Sequence, residues 1–146
     1  MSMDRYLVKS YGDNIAGTKI GISKMMQLLE QYNNAVIVVP SIGKVDEAMF
    51  TTVLGDKLSK QLIKNRSIIT KGKIISLCEQ KILNDYTNYD VYLDLCGSNK
   101  SISEIEKSRL CKAVILVIWL PQDFECWTEK YKPKVIYDDH FYFKMV

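Results

Sequence analysis

The chain has a single histidine, His140, among its 146 residues. Any Ser–His or Cys–His mechanism would have to be built around that imidazole, and nothing in the sequence marks its partners. Asp138 and Asp139 beside it are metal-ligand types. Adjacent residues of an extended segment point to alternate faces, however, and no second cluster accompanies them, so a surface turn is expected there. The four cysteines, Cys78, Cys96, Cys111 and Cys126, include no C-x-x-C pair and fall in apolar segments, as buried free thiols do. They are expected to be packing residues, reduced, in a cytoplasmic compartment. No basic leader precedes an apolar run and a small-residue cleavage site, so no secretion is inferred. The longest apolar run, Ala113 to Pro121, is far short of the ~20 residues that span a bilayer. Charge of one sign is also scarce: a net +3 is too small to argue for nucleic acid as a partner. Repeats, low-complexity segments and linkers are missing as well. With 47% hydrophobic and 25% charged residues, the chain is expected to form one globular domain over residues 1–146.

What is present is an alternation of apolar runs and helical patterns. Arg5 to Ser10 suits a short strand, and Ile20, Ile22, Met25, Met26, Leu28 and Leu29 recur at helical spacing after a glycine turn. Ala35 to Val39 is continuous, β-branched and bounded by Asn33-Asn34 and Pro40, as in a strand buried on both faces. A helix is expected from about Asp46 to Asn65, with Met49, Val53, Leu54, Leu58, Leu62 and Ile63 on its apolar face. Ser67 to Thr70 suits a short strand and Gly72 a turn, followed by a helix carrying Ile74, Ile75, Leu77, Cys78, Ile82 and Leu83. Further strands are expected at Tyr89–Leu95, Ala113–Leu120, Lys134–Tyr137 and Phe141–Phe143, and Ser101-x-x-Glu104 offers a capping box for a short helix. This alternation predicts an α/β fold in three layers, a mainly parallel sheet with helices on both faces. The runs at Val36–Val39, Val91–Leu93 and Val114–Ile118 belong at its centre.

The candidate site is the glycine turn Gly12-Asp13-Asn14-Ile15-Ala16-Gly17-Thr18-Lys19. A phosphate-binding loop reads G-x-x-x-x-G-K-[ST]; its backbone N–H groups cradle phosphates while Lys and Ser/Thr reach the β/γ-phosphates and Mg²⁺. Both glycines keep that spacing, but the closing pair is inverted to Thr18-Lys19. One residue is about 100° around a helix, so Lys19 leaves in a different direction from the lysine the motif needs. Either Gly12 and Gly17 serve a tight strand-to-helix turn, or they retain some phosphate affinity. Asp94, ending a strand, could hold Mg²⁺ through water or cap its own following loop.

Three landmarks taken together resemble the ParA/MinD family of P-loop ATPases over nearly the whole chain. They are the glycine turn and helix, the buried strand Val36–Val39, and Tyr89-Asp90-Val91-Tyr92-Leu93-Asp94 with Gly97, followed by the apolar strand ending at Pro121. The resemblance implies a P-loop NTPase-like fold, with Gly12, Gly17, Thr18, Lys19 and Asp94 as nucleotide-side residues and Asp94 as the metal-side carboxylate. The departures are equally specific. The family's extra lysine in the loop corresponds here to Asp13, Asn14 or Ile15, and Asp13 would repel a polyphosphate. Pro40 and Ser41 stand where the family's strand ends in catalytic carboxylates. A part of the sequence, Val8 to Gly12 with Val38 to Lys44, is also similar to the amino-acid kinase fold, but the glycine pair after its lysine is missing.

The expectation is therefore a degenerate member with no catalytic residues, binding ATP/Mg weakly or not at all. It would serve as a binding or regulatory component of a spatially organised machine of pilus, secretion, partition or division type. Protein partners and a homodimer follow from the resemblance. The alternatives are an active Mg²⁺-dependent ATPase with an unusual loop, and a nucleic-acid module. The latter would use Lys57, Lys60, Lys64, Arg66, Lys71 and Lys73, a stripe that otherwise reads as a solvated face diluted by Asp56. Trp119, Phe124 and Trp127 read as core rather than a stacking platform.

Overall fold

Three predominantly apolar runs, buried on both faces, take the three central places in a seven-stranded sheet. The computed structural model describes residues 3–11, 14–42, 48–86, 88–95, 99–108, 110–118 and 125–139. In chain order its elements are β1 (Asp4–Lys9), α1 (Asn14–Leu28), β2 (Asn34–Val39), α2 (Ala48–Leu54), α3 (Asp56–Asn65), β3 (Ser67–Thr70) and β4 (Lys73–Glu79). A 3₁₀ segment follows at Gln80–Asp85, then β5 (Val91–Leu95), α4 (Asn99–Glu106), β6 (Ala113–Ile118), α5 (Glu125–Tyr131) and β7 (Lys134–Asp138). The strands pair in the order β3-β4-β2-β5-β6-β1-β7. Among the described residues all pairings are parallel except β3 with β4. The fold class expected from the sequence is the one observed.

Alternation along the strands divides the core in two. On one face Val8, Ile37, Leu93, Ile115 and Val117 meet Ile22, Met25 and Leu28 of α1, Phe50 of α2 and Leu62 of α3. On the other, Leu7, Val38, Tyr92, Val114 and Leu116 meet Ile102 and Ile105 of α4 and Trp127 of α5. Each fully buried aliphatic side chain contributes about 1.5–3 kcal/mol, so the sheet is stabilised from both sides. The second layer is also held by charge. Arg5 of β1 donates through Nε to Glu106 Oε2 at 2.9 Å and through Nη2 to Oε1 at 2.6 Å, and Trp127 Nε1 donates to the same Oε2 at 2.8 Å. The Arg5 guanidinium lies 4.0 Å from the centroid of the Tyr131 ring. One carboxylate thus joins β1, α4 and α5.

Four expectations are corrected. Residues 74–79 form β4, not a helix. Lys71 (φ 52) and Gly72 (φ 77) are both left-handed, the requirement of a two-residue hairpin turn, and that turn returns the chain antiparallel onto β3. The single helix expected to run to Asn65 is two, interrupted at Gly55 (φ 84). Ser101 does not open α4: the helix already begins at Asn99, and the Ser101 hydroxyl is buried and donates to Asp94. Of the thiols, Cys78 and Cys111 are buried and free, but Cys126 is exposed. Cys96, Gly97, Trp119, Phe124, His140 and the segment Phe141–Phe143 lie outside the described residues. Among the described residues no helix is long and apolar enough to cross a membrane.

Candidate functional site

The glycine turn connects β1 to α1 at the carboxyl end of the parallel sheet, where ligand sites of open α/β sheets form. Ser10 closes β1 by donating its N–H to Ile118 O at 3.0 Å and its hydroxyl to the same oxygen at 3.3 Å. Gly12 and Asp13 lie outside the described residues, and α1 has begun by Asn14. Gly17, Thr18 and Lys19 are therefore helical residues. A Cβ on Gly17 would overlap Ser10 Oγ and Cβ and come within 3.3 Å of Val8 Cγ1, so Gly17 is the point at which helix and strand touch. Gly21, one turn on, would bring a Cβ to 2.7 Å from Val117 Cγ2. Thr18 is fully buried, and its hydroxyl donates to Asn14 O at 2.8 Å, an i to i−4 bond within the helix. Lys19 is half-buried.

Asp94 stands on β5 between Val38 of β2 and Leu116 of β6. Through β6 it is level with Leu7, below Ser10 and the turn. Its neighbours Leu93 and Leu95 face α1, so alternation sends Asp94 to the opposite face, under α4. There it is fully buried, and Ser101 Oγ donates to Oδ2 at 2.7 Å. Oδ1 is equally buried and has no hydrogen-bond partner among the described residues. Burial pushes its carboxyl up to about 7, against a smaller opposing effect of the Ser101 hydroxyl. Cys78 of β4 lies on the same face, across Val38, and burial reinforced by Asp94 and Glu79 pushes its thiol up to about 12.

The structure thus brings Gly17, Thr18 and Lys19 together at the start of α1 and leaves Asp94 on the other side of the sheet. The pairing of Asp94 with Ser101 was not foreseen. Its only trace in the sequence is a serine at the start of a helical pattern directly after the strand, which reads equally well as a cap. Asn14 Oδ1, at the first residue of α1, is a second buried oxygen with no partner among the described residues. Of Asp138-Asp139-His140, where a surface turn rather than a metal cluster was expected, the described residues are Asp138, which ends β7, and Asp139, whose N–H donates to Lys9 O at 3.1 Å. Among the described residues no group of three or more His, Cys, Asp or Glu side chains is set to hold a metal ion. A cavity of about 560 Å³ opens elsewhere, between the 3₁₀ segment and α4, over Leu83, Tyr86, Tyr92 and Ile105, where the Tyr92 hydroxyl donates to Tyr86 O.

No family model matches the sequence, and no curated protein matches it. Among solved structures the chain is similar to a mutant of the Thermus phage P74-26 large terminase ATPase domain, at 10% sequence identity and a TM-score of 0.46. The match covers 80% of this chain and 60% of that one. What the fold itself defines is an α/β protein with a mainly parallel sheet between two helical layers.

Proposed function

We propose that this protein is a non-hydrolysing binding component built on a P-loop ATPase-like sheet, of the ParA/MinD type that its sequence landmarks resemble. The observation that carries this reading is Asp94. A carboxylate that holds Mg²⁺ beside a nucleotide must be ionised and must face the phosphates. Asp94 is buried beneath the sheet, bonded to Ser101 and favoured in its protonated form. Thr18 supports the same conclusion, because the hydroxyl that a working loop aims at Mg²⁺ is buried here and donates to Asn14 O. The described residues of the constellation therefore do not fit a Mg²⁺–nucleotide site. Pro40 and Ser41 after β2 supply no replacement carboxylate. Protein partners, among them a second copy, are the natural ligands of such a chain, and nucleic acid is not. The test is phosphate release from Mg-ATP together with thermal unfolding with and without Mg-ATP. Release at background and an unchanged unfolding temperature are expected. Turnover that Asp94→Asn abolishes in a folded protein would instead establish an ATPase.

A further inference from the structure

The β3–β4 hairpin carries the one antiparallel pairing, and β3 is an outermost strand of the sheet. Leu77 N–H donates to Arg66 O at 2.9 Å. Bonded and non-bonded pairs alternate along an antiparallel ladder, so with the observed register the bonded pairs are Arg66 with Leu77, Ile68 with Ile75, and Thr70 with Lys73. The main-chain groups of Ser67 and Ile69 therefore point away from β4, at the free edge. The side chains beside that edge are unusual for one facing water. Ile69 is 71% exposed and its cross-strand partner Ile74 is 44% exposed, so two isoleucines in contact lie open on the α4 side of the hairpin. On the other side Ile68 and Ile75 are buried under α3. The charge around the edge is predominantly basic: Lys57, Lys60 and Lys64 of α3, Arg66 and Lys71 are exposed and Lys73 is half-buried, against one carboxylate, Glu30, which lines a pocket with Thr70, Lys71 and Lys73. Asp56, at the far end of α3, is the acidic residue of this helix.

We infer that the β3 edge is a docking site for an acidic, extended peptide segment of a partner protein, which adds as a further strand beside β3. Such a strand would accept from and donate to Ser67 and Ile69, the sheet-edge mode of peptide recognition. Side chains of the added strand alternate between faces. Apolar residues at every second position would extend the Ile69–Ile74 pair, and acidic residues between them would face the α3 lysines and Arg66. Two other occupants fit less well. A second copy pairing antiparallel through Ser67 and Ile69 would bring the exposed Arg66, Lys71 and α3 lysines of both chains side by side, and like charges repel. A nucleic-acid strand has no ladder of main-chain donors and acceptors to match the edge, and it binds through aromatic stacking platforms where this patch offers isoleucine.

This inference names the surface for the binding role proposed above, and the two are tested by separate readouts, phosphate release there and peptide capture here. The probe is a fluorescein-labelled octapeptide of alternating glutamate and valine, titrated into the full chain and followed by anisotropy at low and at physiological salt. Saturable binding that weakens as salt rises is expected, with no binding of the lysine–valine counterpart. Amide exchange at Ser67 and Ile69 should slow on binding, while Ile68 and Thr70, already bonded to β4, should not change. Ile69→Pro removes a donor that the hairpin does not use, and proline is tolerated at such an edge position. It should weaken capture about tenfold, the worth of one hydrogen bond near the upper end of its range. Lys64→Glu combined with Lys71→Glu, both at exposed positions, should weaken it independently of any effect of proline on folding. Three results overturn the inference: capture unchanged in both variants, retention of a single-stranded oligonucleotide of equal charge in place of the peptide, or self-association of the full chain that Ile69→Pro abolishes.

Discussion

Asp94→Asn separates a buried structural acid from a metal-side carboxylate. An unfolded aspartate titrates near 3.8, and burial lifts Asp94 in the folded protein to about 7. Below the lower value both states carry the proton, and Asp94 adds no pH dependence. Between the two values only the folded chain keeps it, so the folded chain binds more protons than the unfolded one and stability falls as pH rises. Above about 7 the folded carboxylate is ionised as well, and the full penalty stands. That interval corresponds to at most about 4 kcal/mol. At roughly 2–4 °C per kcal/mol for a domain of this size, it is worth about 10 °C in unfolding temperature. Asparagine has the same shape, can still accept from Ser101, and does not titrate. Its unmatched amide adds a constant offset, so the informative quantity is the slope. Urea and thermal unfolding of both proteins from pH 4 to pH 8 should show wild-type stability declining relative to the variant and levelling off above pH 7. Parallel profiles would refute the reasoning, as would a wild-type profile restored at pH 8 by Mg²⁺ alone.

Other outcomes follow from the packing. Gly17→Ala should destabilise the fold by about 1–3 kcal/mol, the range for overpacking, and Ser10→Gly should recover much of that loss in the double variant because it removes the atoms the new methyl meets. Lack of coupling between the two substitutions in unfolding experiments would show that α1 and β1 do not touch there. With a thiol reagent, Cys126 should react in the native protein, while Cys78 and Cys111, both buried with thiols pushed up to about 12, should react only on unfolding.

The sheet's centre was legible because β2 and β6 are apolar on both faces and β5 is so except for Asp94, a pattern that suits strands covered from both sides. β4 was not, because Ile74, Ile75, Leu77, Cys78, Ile82 and Leu83 fall in pairs three or four residues apart, which fits a helical stripe as well as a two-faced strand. The deciding information lay just before it: Lys71-Gly72 supports a turn with both residues left-handed, and a hairpin after β3 commits the next residues to a strand. Gly17 shows a different limit. A glycine that lets a chain turn and a glycine that lets a helix lie on a strand are the same letter at the same spacing, and the difference appears only when Ser10 is found where its Cβ would be. For Asp94, alternation with Leu93 already implied the face, but both faces of β5 are buried, so nothing local told which helix it would meet.

The position of β1 bears on how the chain is made. It precedes the other strands of this sheet in the chain, yet it pairs with β6 from Asp4 opposite Ala113 to Lys9 opposite Ile118, and on its other side with β7. Both neighbours are synthesised after β2 to β5. β2, β4, β3 and β5 can assemble while the chain is still growing, whereas β1 must wait, with the apolar face of α1 only partly covered. Such long-range closure slows folding and prolongs the exposure of apolar surface. Nascent chains arrested before Ala113 should therefore hold a structured β2–β5 half and an unpaired β1 open to proteases and chaperones, and synthesis of β6 and β7 becomes the step that completes the sheet.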